Sequence, residues 1–285
     1  MPGVIPRNPY GGQRATLVTL HHKDRVLAPL LEAALGVALE TLRDVDTDAL
    51  GTFTRDVPRH GTQLETARRK AQLAIERRGG TLGLGSEGSF IPGPLGLGSW
   101  NVEYVLMLDV AHGVEIVGRA QGPALHLHGL VSSEADLRAF ALRAEFPEHA
   151  LVLRPDGPDG APVAKGLSDW DGLAAAFDEM QQRSPSRAVF VEHDLRADRH
   201  PTRMRMIARA GEDLVERLRT PCAACDWPGF GWSSTLRGLA CAACGTATDL
   251  PYADRFDCVR CPHSETRNRD GPSAADPARC PRCNP

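Results

Sequence analysis

All eight cysteines of this 285-residue chain fall after residue 220, in four Cys-x-x-Cys pairs: Cys222/Cys225, Cys241/Cys244, Cys258/Cys261 and Cys280/Cys283. A Cys-x-x-Cys turn lets two thiolates converge on one metal, and four soft thiolates in a tetrahedron suit zinc. Fifteen residues separate the first two pairs and eighteen the last two, spacings that fit paired structural zinc sites. No cysteine is left over, so the expectation is two structural Zn2+ ions rather than disulfides. Sequential pairing (first with second, third with fourth) predicts a double zinc ribbon over residues 219–285. A cross-braced arrangement, first with third and second with fourth, is the competitor. His263 is a spare nitrogen, since eight thiolates already satisfy two ions. A closed four-thiolate site has no open position for a substrate.

The charge of this tail argues against nucleic acid. Residues 221–285 carry seven Arg, no Lys and seven Asp or Glu. Eight thiolates and two divalent ions would add a further negative balance, so phosphate binding is disfavoured. The cluster Trp227, Phe230 and Trp232 instead suits packing or a protein partner.

The net charge of −3 gives no general reason to expect nucleic acid or anionic lipid. No apolar run approaches a membrane span, and the start lacks a signal-peptide pattern, so the expectation is a cytoplasmic protein. Of the 33 basic residues only Lys23, Lys70 and Lys165 are lysines. A lysine in an arginine-rich chain can mark the need for a compact point charge.

Residues 1–14 read as a Pro/Gly-rich irregular leader. From Ala15 the chain alternates strand (15–20), helix (25–35, Gly36 as C-cap), strand (37–42), a loop through Asp44, Asp46 and Asp48, helix and strand. That order predicts a mixed α/β domain over 15–218, with a largely parallel sheet flanked by helices and a candidate ligand cleft. Residues 91–99 read as a loop long enough to cover a site. A hairpin over 102–119 follows, then a strand carrying His126 and His128 on one face, and helices near 133–146, 169–182 and 201–218.

The central stretch runs from Gly61 to Phe90. Leu64, Ala67, Ala71, Ala74 and Ile75 share one face of a helix, which then feeds a strand ending at Glu87 between glycines. A carboxylate at the carboxyl end of such a strand lies where α/β folds bind ligands. Thr62-x-x-Glu65 is also a capping box, and Glu65 with Arg69 an i,i+4 ion pair.

The run Thr62-x-x-Glu65-Thr66-Ala67-x-x-Lys70-Ala71-x-x-Ala74 resembles the Thr-x-x-Glu-Asn-Ala-x-x-Lys-Ala-x-x-Ala helix of the inosine/xanthosine triphosphate pyrophosphatases, with Thr66 in place of Asn. Leu84 to Gly88 is similar in placement to that family's acidic turn. Thr19 to Lys23 is similar to its opening Thr-x-Asn-x-x-Lys, with His for Asn and the lysine one residue early. His200-Pro201-Thr202-Arg203 is a loose counterpart of its Ser-His-Arg. The chain, cysteine pairs included, also resembles a bacterial domain-of-unknown-function family through Gly51–Arg55, Gly85–Phe90, Asp194–Asp198 with Pro201–Met204, and Thr220–Cys222. That second resemblance implies no activity.

The first implies a magnesium-dependent nucleoside-triphosphate pyrophosphatase-like hydrolase. Glu65 and Glu87 would hold Mg2+, with Lys70 completing the catalytic set. Lys23 and Lys70 would hold the phosphates and Arg203 with His200 would close on the nucleotide, with Arg196 beside them near a helix N-terminus that favours an anion. The alternative is a non-catalytic ligand-binding or scaffold protein whose ribbon docks a partner through Trp227, Phe230 and Trp232.

Overall fold

The computed structural model describes residues 8–45 and 61–285. Asp46, Asp48, the Gly51–Arg55 stretch and the first seven residues of the expected leader lie outside them. The chain divides into a unit over Tyr10–Val215 and a second that contains Glu216–Pro285. No helix among the described residues is long and apolar enough to cross a membrane.

Before the first strand, Tyr10 is fully buried and Gly12 N donates to Gly36 O, so residues 8–13 form an anchored turn. Strand β1 (Arg14–Val18) leads through helix α1 (Asp24–Leu35) to β2 (Ala38–Leu42). Helix α2 (Gln63–Arg78) then leads to β3 (Leu82–Pro92), which turns back as β4 (Ser99–Asp109) and β5 (Val114–Ala124). The sheet order is β2-β1-β3-β4-β5. Gly36, left-handed at φ 66°, ends α1 as the sequence predicts.

The sheet is parallel only where helices cross over. β1 runs parallel to β2 and β3, whereas β3–β4 and β4–β5 are antiparallel. The expectation of a largely parallel sheet is therefore corrected. Strands joined by tight turns pair antiparallel, and a parallel neighbour needs a crossover of helical length. Residues 91–99 are likewise no covering loop: Pro92 pairs with Ser99, so they close a hairpin.

A second sheet follows β5: β6 (His128–Val131), β7 (Leu151–Pro155), β8 (Ala164–Leu167) and β9 (Val189–His193), in the order β6-β9-β7-β8. All its pairings are antiparallel. Helices α3 (Glu134–Arg143) and α4 (Trp170–Arg183) share a core with it through Leu137, Phe140, Leu151, Leu173, Phe177 and Val191. Ser133 and Asp169 cap the two helices through their side chains. Helix α5 (Pro201–Arg219) then returns to the first sheet, where Gly118 of β5 meets Ala210 and Leu214.

One contact sets the geometry of the first sheet. A Cβ at Gly83 would lie 2.1 Å from Ala71 O, and one at Gly85 would lie 1.8 Å from Ala67 O. The alanine face of α2 thus rests directly on the backbone of β3. Because side chains alternate along a strand, Glu87 shares this face with the two glycines. Helix α5 packs on the opposite face, where Gly211 meets Leu27 and Leu30 of α1.

Gly85→Ala should cost about 1–3 kcal/mol or more by overpacking. Gly80→Ala, with open space around it, should stay within about 0.5 kcal/mol. Denaturant midpoints of the two variants check this pair.

Candidate functional site

β1 stops at Val18, with its last β3 partner at Leu84. Beyond that point β3 runs on beside β4 alone. β1 leads through α1 to β2 on one side, while β3 leads to β4 on the other, and α1 and α2 cover opposite faces; the strand order thus switches between β1 and β3, the place where α/β sheets open a crevice. His22 takes a left-handed turn (φ 53°), and Lys23 comes back over the end of β1. Its Nζ donates to Ser86 O at 2.9 Å and to Ser86 Oγ at 3.2 Å.

Four more charged groups converge here. Lys70 Nζ lies 2.6 Å from Glu87 Oε2, both groups nearly buried. Arg203 Nε donates to Glu103 Oε1 at 2.7 Å, and Arg203 Nη1 donates to Leu195 O. Asn101 Nδ2 also donates to Glu103 Oε1, at 2.9 Å. Gly88 faces Glu103 across the β3–β4 ladder, and a Cβ there would fall 2.1 Å from the carboxylate. Glycine at 88 is what lets the acid lie across the strand.

Burial first, then the Arg203 guanidinium, pushes the Lys23 ammonium down to about 7; Lys70 adds to the fall, while Glu103 and Glu87 oppose it. An amine half-charged at neutral pH among fixed ions is unusual in a purely structural setting and common at sites that bind or react.

The other sequence candidates stand apart from this notch. Glu65 is exposed and occupied by the capping box: Thr62 N donates to Glu65 Oε2 at 2.7 Å, and Glu65 N to Thr62 Oγ1 at 3.2 Å. That backbone bond is the first cause of its lowered pKa. His200 is wholly buried, its Nδ1 accepting from Arg203 N and its Nε2 donating to Leu125 O. It packs edge-on against His149 and His193, and burial drives its pKa down to about 3. A neutral histidine with both nitrogens engaged holds α5 in place and itself takes up a first-turn amide of that helix. Arg196 is turned onto buried Asp194, with Nε 2.9 Å from Oδ1. His126 and His128 stand 5.6 Å apart in a ring series that reaches Phe90.

Sequence reading missed Glu103, Asn101 and Ser86. One signal was present: Glu103 occupies the inward series of β4 with Val105 and Met107, both wholly buried. A charge in such a series needs a reason.

The cysteines form two four-sulfur groups, Cys222/Cys225/Cys258/Cys261 and Cys241/Cys244/Cys280/Cys283, each within 4.8 Å. This is the cross-braced arrangement, and sequential pairing is overturned. Sγ separations of 3.7 Å (Cys222–Cys261, Cys225–Cys258, Cys244–Cys280) and 3.9 Å (Cys241–Cys283) match the edge of about 3.8 Å of a tetrahedron with ~2.3 Å bonds to zinc. Both groups could hold a metal ion, and among the described residues they are the sets of three or more His, Cys, Asp or Glu that could.

A three-strand meander explains the pairing. β10 (Gly231–Arg237), β11 (Pro251–Asp257) and β12 (Ser264–Asn268) lie side by side and antiparallel. One seven-residue strand, about 24 Å long, separates the first pair from the second, so consecutive pairs sit at opposite ends of the sheet. Gly231 faces Asp257, which brings the first and third pairs to one end; Ala253 faces Asn268, which sends the fourth to the other. Trp227 (2 % exposed) lies under Arg260, and Phe230 (5 %) packs against Phe256 and His263, so these two build the interior and present no docking face.

A family model described as a domain of unknown function (DUF6671) matches residues 70–285. The chain belongs to this family. The matched span takes in Lys70, Glu87, Glu103, Arg203 and all eight cysteines, while Lys23 lies outside it. No curated protein and no solved structure matches the chain.

Cys258→Ser should expose Cys222 and Cys225 to alkylation while Cys241, Cys244, Cys280 and Cys283 stay protected. Mass-spectrometric mapping of alkylated thiols checks it, and exposure of Cys280 and Cys283 instead would restore the sequential scheme.

Lys23 gives a pH prediction. The unfolded chain binds this proton below about 10.5 and the folded one only below about 7. Stability should therefore rise with pH across that window by up to about 1.4 kcal/mol per unit, and lie flat for this group below it. Lys23→Met should remove that slope and raise the denaturant midpoint at pH 7.

Proposed function

We propose that the Tyr10–Val215 unit is a magnesium-dependent nucleoside-triphosphate pyrophosphohydrolase and that the tail is a structural module holding two zinc ions. The observation that carries the first half is the convergence of Lys23, Lys70, Arg203, Glu87 and Glu103 on the notch past the end of β1. Phosphoryl transfer asks little covalent chemistry of a protein; it needs cations on the phosphates and a placed water. Lys70 and Lys23 would donate to phosphate oxygens, and Glu87 would help hold a magnesium ion that neutralises the phosphates. Magnesium usually binds through one or two carboxylates plus substrate phosphates, and Glu87 is the acid placed for that, Glu65 being committed to its helix cap. Water attacks the α-phosphorus, and pyrophosphate leaves with the bonding electrons.

The zinc half rests on four soft sulfurs at tetrahedral spacing. Such a closed site supplies folding energy rather than chemistry.

A second reading has its own support. Glu87 and Glu103 already sit in short ion pairs with Lys70 and Arg203, as in a site that binds an anion without turning it over. On that reading the protein is a scaffold. Its tail would meet a partner through the exposed Tyr252 and the half-buried Trp232 rather than through Trp227 and Phe230.

Purified full-length protein given magnesium and a panel of nucleoside triphosphates should release pyrophosphate. Glu87→Gln should slow release about 100-fold or more. Nucleotide binding without release supports the scaffold reading, and a Glu87→Gln rate equal to wild type ends the hydrolase one.

A further inference from the structure

The charges of the notch do not pair off evenly. Lys70 lies on Glu87 and Arg203 on Glu103, whereas Lys23 meets only neutral acceptors, Ser86 O and Oγ. Lys23 is thus a buried ammonium held by neutral acceptors, and burying a charge is costly. A second observation is independent of that balance. Glu103 has no exposed surface; its Oε1 accepts from Asn101 and Arg203, while its Oε2 has no hydrogen-bond partner. A buried acceptor left without a donor is costly, and more so when charged.

A cationic cluster that also holds a carboxylate oxygen without a donor is complementary to an anion carrying a hydrogen. A protonated phosphoryl group has oxygens for ammonium donors and an O–H for the carboxylate. Sulfate at neutral pH has no hydrogen, and its oxygen would set lone pair against lone pair. We propose that the notch selects a protonated phosphoryl group, Glu103 Oε2 accepting its O–H while Lys23, held at Ser86 on the same side of β3, donates to its other oxygens. This rests on the notch being the anion site of the preceding section, and not on hydrolysis there. Glycine at 88 lets the Glu103 carboxylate lie directly against β3, where a Cβ would displace it. The groups acting on Lys23 are Arg203 from α5, Glu103 from β4, Lys70 from α2 and Glu87 from β3, so an arriving anion favours its charged form.

Calorimetric titration of the full-length, metal-loaded protein with inorganic phosphate and with sulfate, at pH 7 and equal ionic strength, tests the idea. Phosphate should bind at least about tenfold more tightly than sulfate, a gap of about 1.4 kcal/mol. Glu103→Gln, which offers an N–H in place of the bare oxygen, should bring the ratio toward one by strengthening sulfate. Equal affinities in the wild type, or binding of neither ion, overturns the proposal without needing the variant. Selective phosphate binding with no nucleotide turnover leaves this inference standing and removes the hydrolase reading; turnover without selectivity does the reverse.

Discussion

The close approach of helix α2 to strand β3 is the constraint on which the candidate site depends. With no side chain at Gly83 or Gly85, the backbone of the helix at Ala67 and Ala71 lies on the strand itself. A larger residue at either position would lift the helix, and Lys70 would lose Glu87. The same alternation that puts glycine at 83 and 85 puts Glu87 on the helix side. A packing rule and an ion pair are thus two consequences of one spacing, and the burial that shortens the pair also withdraws both groups from water.

On the other face of the sheet a second pair is built differently. Arg203 reaches Glu103 from α5, and that helix is positioned by buried histidines, of which His193 and His200 have both ring nitrogens hydrogen-bonded. His149, His193 and His200 form a polar cluster that is satisfied mainly by backbone groups and Thr202. Its role is to fix the return of the chain from the second sheet, and the arginine comes into the notch as a result. Lys23 then stands between the two faces at the end of β1, answering to charges on both.

The tail obeys a different economy of forces. A small three-stranded meander buries few large side chains, chiefly Trp227 and Phe230, so two four-sulfur groups at its ends supply the closure that a larger core would otherwise give. Because each group joins cysteines from either side of the sheet, neither end can close without the strands between being in register. Arginines also stack on Trp227 and Phe256.

The sequence by itself determined the elements and the ligands. Glycine after Leu35, the capping box at Thr62, the alanine face of α2 and the four Cys-x-x-Cys turns are local statements, written in residues a few positions apart. It also marked Lys23, Lys70 and Glu87 as residues to watch. Only the tertiary structure decided which strands run parallel, which cysteine pairs come together, and that Glu103 rather than Glu65 lies near Lys23. Pairing across a sheet depends on where each strand ends relative to its neighbours. Glu65 could serve a cap or a ligand equally well as far as its spacing tells, and the cap won because its partners are three residues away and need no other part of the chain to arrive.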